Sequence, residues 1–196
     1  MRNAAVTRET NETKVTLTLN IDEETKAAID TSVGFFNHML ELFARRAHFG
    51  LQVHCKGDTD VDAHHSVEDT GIALGRAFDE ALGERIGIRR YASIILPMDE
   101  ALVMASVDIS GRAFLSYDAD ATAEKVGDFD TELAEEFFTA FIREAKITLH
   151  IKLISGKNSH HILEAVFKAA GLVFGEAAQI DPLRANVVPS TKGTII

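Results

Sequence analysis

Residues 64–82 read HHSVEDTGIALGRAFDEAL, and residues 159–177 read SHHILEAVFKAAGLVFGEA. Both stretches have the apolar spacing of an amphipathic helix, and both carry two adjacent histidines followed by a glutamate. The second histidine pair lies 96 positions after the first, in a chain of 196 residues. Two such helices at this distance predict that the fold is built from two copies of one half.

The segments ahead of each histidine pair support this duplication. Alternating apolar residues predict strands and apolar residues at helical spacing predict helices, in the same order in both halves. In the first half the segments are KVTLTLNI (14–21) with KAAIDTS (26–32) as its hairpin partner, the helix FFNHMLELFARR (35–46) and the strand FGLQVHC (49–55). In the second half they are the strand pair SIILPMD (93–99) and LVMASVDISG (102–111), the helix ELAEEFFTAFIREA (132–145) and the strand ITLHIKL (147–153).

Local sequence similarity and one insertion further support the division of the chain into two halves. AAIDTSVG at 27–34 is similar to MASVDISG at 104–111, and LQVHC at 51–55 is similar to ITLHI at 147–151. The insert GRAFLSYDADATAEKVGDFD lengthens the second half, and AFLSY within it suggests an extra strand. We therefore expect a single domain over 1–196, built of pseudo-repeats at about 1–88 and 89–180 with a tail at 181–196.

Each half thus reads as β-β-α-β-α. Two small mixed sheets with helices on one face each bury those helices best against one another. The predicted fold class is α/β (α+β), with two sheets enclosing a helical layer.

Composition and charge exclude several classes of protein. A formal charge of −10 disfavours nucleic-acid binding, because neutralising phosphates requires a basic face. A phosphorylated ligand would therefore need a few local cations. The sequence contains no apolar run of membrane-spanning length and no secretory signal pattern, so we expect no membrane partner and a cytoplasmic location. The single cysteine, Cys55, rules out an internal disulfide framework.

The paired histidines are candidate metal ligands. Side chains three or four positions apart share a helix face, so Glu68 could hold an ion with either His64 or His65. The remaining histidine would serve a second ion or a neighbouring subunit. Imidazoles and carboxylates without thiolates suit Mn, Fe, Co, Ni or Zn. His38 and, at the corresponding place in the second half, Glu136 would add a seventh and an eighth ligand.

Taken together, the motifs resemble the imidazoleglycerol-phosphate dehydratase family over essentially the whole chain. The matching stretches are RETNET (8–13), GFFNHML (34–40), GDTDVDAHHSVEDTGIALG (57–75), PMDEAL (97–102), DISGR (108–112), TLHIKLISGKNSHHILEAVFKA (148–169) and PSTKG (189–193). The resemblance implies a duplicated fold like that of ribosomal protein S5 domain 2. It also implies two Mn²⁺ ions per active site and a shell of 24 identical subunits with sites formed between them.

The resemblance also assigns roles to individual residues. By matching position, the metal ligands fall on His38, His64, His65, Glu68, Glu136, His160, His161 and Glu164. Two positions depart from the family pattern: Glu136 stands where many members have His, and Asn37 stands where Asp is frequent. A carboxylate can also ligate Mn²⁺, so Glu136 is retained as a ligand.

The substrate phosphate would be held by cations and a hydroxyl that match family positions: Arg90, Arg112, Ser190 and Lys192. Glu12 matches the family's acid/base carboxylate and would contact the substrate. The metal ligands other than Glu136 would contact the substrate as well. The implied reaction removes water from D-erythro-imidazole glycerol phosphate to give imidazole acetol phosphate, in histidine biosynthesis, through a metal-stabilised imidazolate.

Two other functions fit the same ligands. A binuclear metallohydrolase would use two ions to activate water on a phosphoester. A non-enzymatic metal-binding shell protein would only store or cross-link ions. The second has no use for Arg90, Arg112 and Lys192, which favours an enzyme.

Overall fold

A computed structural model describes residues 1–195 and has two four-stranded sheets with a helical layer between them, together with a small two-stranded sheet. The first half contains β1 (Asn3–Glu9), β2 (Thr13–Asn20), β3 (Ala28–Asp30), α1 (Gly34–Ala47), β4 (Gly50–Gly57) and α2 (His64–Leu82). The second half contains β5 (Tyr91–Met98), β6 (Ala101–Asp108), β7 (Phe114–Asp118), β8 (Lys125–Val126), β9 (Phe129–Asp130), α3 (Leu133–Ala145), β10 (Thr148–Ser155) and α4 (Ser159–Ala178).

The two main sheets have the same topology, which confirms the predicted duplication. Their strand orders are β1-β2-β4-β3 and β5-β6-β10-β7. In each sheet the first three strands of that order run antiparallel and the last strand pairs in parallel. Each half therefore has the core pattern β-β-β-α-β-α, one strand longer than the pattern predicted from the sequence, and the second half adds the short hairpin β8-β9.

Two details of the sequence interpretation are wrong. The hairpin partner of β2 is β1, with Asn3 opposite Asn20, whereas β3 lies at the far edge and pairs with β4. The echo between 27–34 and 104–111 aligned β3 with β6, although β7 is the topological counterpart of β3. The similarity of β4 to β10 and the extra strand around AFLSY are confirmed. The boundaries at 88 and 180 stay predictions, and Ile196 lies outside the described residues.

The helices of one half pack against those of the other. Helix α1 lies on α4 and α2 lies on α3, while α2 and α4 also cover the inner faces of their own sheets. Glycines permit the close approach: a Cβ on Gly75 would lie 2.5 Å from the carbonyl oxygen of Phe141, and one on Gly171 would lie 2.4 Å from that of Phe43. This packing brings a helix of the first half to the histidine pair of the second half.

Candidate metal and substrate site

The structure brings three of the predicted metal ligands together across the two halves. The ligand atoms of His38 on α1 and of His160 and Glu164 on α4 lie within 4.8 Å of one another. His160 Nε2 is 3.1 Å from Glu164 Oε2, as expected for side chains four positions apart on one helix face. Two imidazoles and a carboxylate at this separation fit a divalent transition metal.

Local contacts fix where α4 begins and so where its histidines point. The side chain of Asn158 caps the helix and accepts hydrogen bonds from the backbone N–H groups of His160 (2.9 Å) and His161 (3.3 Å). His160 and Glu164 therefore occupy the first turns of α4 on the face that meets α1. The ring of Phe35 packs edge-on against His160, with 5.2 Å between centroids, and this contact further restricts the imidazole.

The other cap comes from the insert of the second half. Helix α1 begins after Val33, whose side chain accepts no hydrogen bond at the helix start. The Asp128 carboxylate instead accepts hydrogen bonds from the backbone N–H groups of Gly34 (2.7 Å) and Phe35 (3.1 Å). Burial alone would raise the pKa of Asp128, but these hydrogen bonds hold that pKa below its usual range. The insert thus stabilises the helix that carries His38.

The second histidine of each pair is oriented by a carboxylate. His65 Nδ1 is 3.0 Å from Asp58, and His161 Nδ1 is 2.7 Å from Glu100. These hydrogen bonds raise the pKa of both histidines, and His161 lowers the pKa of Glu100 to about 2. A carboxylate at one ring nitrogen presents the other nitrogen, Nε2, for coordination. The same arrangement in both halves is typical of metal-binding histidines.

Glu12 lies at the turn between β1 and β2, close to the first of these histidines. Its carboxylate is exposed, and Oε1 is 3.9 Å from His65 Nε2. In the second half the turn between β5 and β6 places Asp99 Oδ2 3.6 Å from His161 Nε2. The pseudo-symmetry thus puts a carboxylate beside both Nε2 atoms, on the hairpin at the same end of each sheet.

The remaining predicted ligands do not form a comparable group. Within residues 1–195, the group of His38, His160 and Glu164 is the one set of three or more potential ligands that meets the 4.8 Å distance. Glu68 is instead 3.7 Å from Arg143, and Glu136 is exposed on α3. His64 is half-buried at the start of α2. The assignment of these three residues as ligands stays a prediction.

Sequence reasoning missed several residues that hold the candidate ligands in place. Lys168, one turn after Glu164, forms an ion pair with that carboxylate. Burial opposes the ionisation of Glu164, but Lys168 and His160 together hold its pKa below the usual value. Asp58 and Glu100 fall within the stretches GDTDVD and PMDEAL, which were matched without a role. Asp58 could have been found from the sequence, because it is a carboxylate seven positions before His65. Glu100 could not, because it is 61 positions away from His161.

All four predicted phosphate-binding residues line one cavity of about 590 Å³ at the opposite end of the second sheet: Arg90, Arg112, Ser190 and Lys192. The Arg90 guanidinium already makes hydrogen bonds within the protein, to Asp108 (2.7 Å) and to the carbonyl oxygen of Pro189 (2.7 Å), so only part of it is available to a ligand. The bond to Asp108 raises the pKa of Arg90. Arg112 and Lys192 are exposed to the cavity, which suits them to an anion.

The tail that supplies Ser190 and Lys192 is ordered by its own chain. The carbonyl oxygen of Val187 accepts a hydrogen bond from the backbone N–H of Gly87 (2.9 Å). The Arg90 side chain donates to the carbonyl oxygen of Pro189, the residue before Ser190. Nearer the end of the tail, the buried Arg85 donates to the carbonyl oxygen of Ile195 at 3.3 Å. No neighbouring subunit is therefore required to place the tail over the cavity.

The ligand group and this cavity lie at opposite ends of α4. His160 is on the first turn of the helix, whereas the backbone N–H of Arg90 donates to the carbonyl oxygen of Ala177 near its end. At 1.5 Å per residue, these positions are about 25 Å apart along the axis. A small substrate cannot reach both within one chain.

Comparison with known proteins agrees with this architecture. The model of the family described as imidazoleglycerol-phosphate dehydratase matches residues 31–174. The chain is 51% identical over 195 residues to the imidazoleglycerol-phosphate dehydratase of Oceanobacillus iheyensis, covering 100% of both chains. It is 52% identical to that of Lachnoclostridium phytofermentans, covering 99% of this chain and 98% of the relative.

Solved structures show the same fold. The crystal structure of the Staphylococcus aureus imidazoleglycerol-phosphate dehydratase matches with a TM-score of 0.84 and 40% identity, over 91% of this chain and 99% of that one. The Pyrococcus furiosus structure matches with a TM-score of 0.83 and 35% identity, over 96% and 99%. Fold and relatives together define the class of this protein as a hydro-lyase.

Within that class, the chain belongs to the imidazoleglycerol-phosphate dehydratase family. The family supports the dehydration step of histidine biosynthesis, and its enzymes act on a phosphorylated imidazole. Among residues 1–195, the four helices are each too short or too polar to cross a bilayer.

Proposed function

We propose that this chain dehydrates D-erythro-imidazole glycerol phosphate to imidazole acetol phosphate with the help of two Mn²⁺ ions per site. The observation that carries the proposal is the ligand geometry, in which His38, His160 and Glu164 converge while carboxylates orient His65 and His161. Exposed histidines that bind no metal are not expected to have the second histidine of each pair hydrogen-bonded to a carboxylate in both halves.

The residues that would hold the ions are the eight carried over from the family: His38, His64, His65, Glu68, Glu136, His160, His161 and Glu164. When bound, the two ions would supply Lewis-acid stabilisation of negative charge on the substrate's imidazole ring. Asp58 and Glu100 would keep the Nε2 atoms of His65 and His161 directed towards the site.

The chain's own groups account for the other requirements of the reaction. Loss of water breaks the C–OH bond next to the ring and removes a proton from the neighbouring carbon. The exposed Glu12 carboxylate is the proposed acid/base group for this proton, because it lies beside His65 on a short hairpin. Arg112 and Lys192 would bind the phosphate directly, while Arg90, held by Asp108, would add charge and anchor the tail.

We further propose that each active site is shared between copies, in a homo-oligomer of 24 subunits. The separation of about 25 Å between the ligand group and the phosphate cavity of one chain supports the sharing. The number of 24 subunits is carried over from the resemblance to the family. A second copy that brings its cavity to the ligand group of the first would complete the site. A cytoplasmic location belongs to the same proposal and rests on the biosynthetic role of the family.

The experiment for the chemistry is Glu12→Gln, which keeps the shape of the side chain and removes its charge. We expect unchanged manganese content and assembly, with turnover lowered by about 10²-fold or more. Glu9→Gln is the matched control on the same hairpin, because Glu9 is exposed and pairs with Lys14 at the surface. Near-normal turnover of Glu12→Gln would refute its role. Release of free phosphate instead of an enolisable ketone would indicate the hydrolase.

Co-expression tests the shared site. Arg112→Ala damages the phosphate cavity and His160→Ala damages the ligand group, so each variant alone should have little activity at a substrate concentration well below the KM of Arg112→Ala. In a mixed assembly, some sites would combine an intact cavity with an intact ligand group, and activity should reappear. Mixed assemblies that stay inactive would contradict a site shared between copies.

A further inference from the structure

A buried carboxylate connects the helix of the first histidine pair to the hairpin that carries Glu12. Asp69 lies on α2, one position after Glu68 and four after His65, and is 5% exposed. Its Oδ1 accepts a hydrogen bond from Arg8 Nε at 2.8 Å, and its Oδ2 accepts one from the Thr13 hydroxyl. Arg8 belongs to β1 and Thr13 to β2, so Asp69 holds both strands of the hairpin.

The turn of the hairpin is closed within itself. The Thr10 hydroxyl accepts the backbone N–H groups of Glu12 (3.2 Å) and Thr13 (3.0 Å), and the N–H of Thr10 donates to the Thr13 carbonyl oxygen (2.9 Å). These bonds define the shape of the turn, and the packing of β1 and β2 against α2 places the hairpin as a whole. The two contacts with Asp69 add a polar attachment to α2 at the end of the hairpin that carries Glu12.

The strength of these contacts follows from their charge and burial. Hydrogen bonds to an ionised carboxylate are stronger than those between neutral groups, and a low dielectric strengthens them further. Thr13 is 3% exposed, so its hydroxyl has little access to water as an alternative partner. By contrast, the Glu12 side chain is exposed. Its position must therefore come from the backbone beneath it.

We propose that Asp69, through Thr13, is a positioning residue that holds the Glu12 carboxylate at its working distance from the His65 imidazole. This inference rests on the proposed acid/base role of Glu12. A misplacement of about 1 Å in a reacting group can cost about 10²-fold in rate, so a loosened hairpin lowers turnover without removing any ligand.

The primary test is Thr13→Val, which removes the hydroxyl and keeps the shape of the side chain. In the manganese-loaded enzyme we expect kcat to fall by about 10-fold to 10²-fold, with KM, manganese content and assembly unchanged. Thr13→Ser should recover most of the lost turnover. Thr16→Val is the matched control, because Thr16 lies on the same strand with its side chain exposed. Asp69→Asn should repeat the loss if that variant folds.

A double-mutant cycle separates positioning from a general loss of structure. If Thr13 acts through Glu12, adding Thr13→Val to Glu12→Gln should cause no further loss of kcat. The same fold-loss in both backgrounds would overturn the proposal, as would full turnover of Thr13→Val. Loss of manganese in Thr13→Val would also overturn it. Normal turnover of Glu12→Gln alone would overturn the proposed acid/base role together with this inference, and so the two failures are distinguishable.

Discussion

Removal of the Asp128 carboxylate should loosen the helix that carries His38. Asp128 accepts the first two backbone N–H groups of α1 from a hairpin more than ninety positions away. The N-terminal N–H groups of a helix have no partners within it, and loss of a capping side chain costs about 0.5–2 kcal/mol. For a chain of 196 residues, each 1 kcal/mol corresponds to a melting-temperature change of about 2–4 °C.

We therefore expect Asp128→Ala to lower the melting temperature by about 1–8 °C at neutral pH, as measured by calorimetry at one fixed protein concentration. The pKa of Asp128 in the folded protein lies below its ordinary value of 3.8. Its stabilisation is therefore fully present above about pH 3.8 and is lost as the pH falls through the folded-state pKa. The difference between wild type and variant should shrink in that range.

Asp130→Ala is the matched control on the same hairpin. Asp130 pairs with Lys125 at 3.1 Å on the surface, and such exposed pairs contribute about 0–1 kcal/mol. Equal melting temperatures for Asp128→Ala and Asp130→Ala would refute the capping argument. A difference between wild type and Asp128→Ala that grows as the pH falls below 3.8 would refute the sign of the pKa shift.

Three further variants test the site. His160→Ala should lose manganese and activity together, whereas His48→Ala, at an exposed histidine paired with Glu24, should keep both. Glu100→Gln should weaken manganese retention by about 10-fold to 10²-fold in a chelator titration, because His161 loses the carboxylate that orients it. Arg112→Ala should raise KM for the phosphorylated substrate by at least about 10-fold, because it removes one charge-assisted contact, while manganese content stays the same.

Each of these expectations can fail in a specific way. Full metal occupancy of His160→Ala by elemental analysis would contradict its assignment as a ligand. Wild-type retention by Glu100→Gln would mean that the carboxylate does not orient His161. An unchanged KM for Arg112→Ala would remove the guanidinium from phosphate binding. The control for Arg112 is Arg89→Ala, at a partly exposed arginine paired with Glu176.

The sequence predicts the long helices and central strands because their apolar periodicity is strong. The signal fails at β1, whose seven residues include one buried position, Ala4, and two half-buried ones, Val6 and Arg8. It also fails at β3, which has three residues. A strand this short carries too little pattern to reveal that its partner is the parallel β4 and not β2.

The site shows the same limit. Both histidine pairs are evident as motifs, because their spacing is local to one helix. The meeting of His38 with His160 depends on the packing of α1 against α4, which no local pattern encodes. The contacts of Asp128 with α1 and of Glu100 with His161 link residues 93 and 61 positions apart, so they emerge from the fold.

Anomalous scattering from manganese-loaded crystals will show whether two metal ions share one substrate-binding site. We expect two anomalous peaks in every active site, one of them against His38, His160 and Glu164. The phosphate cavity of a second copy should lie within reach of the same pair. A single peak per site in fully active protein, or peaks remote from these three side chains, would contradict the account.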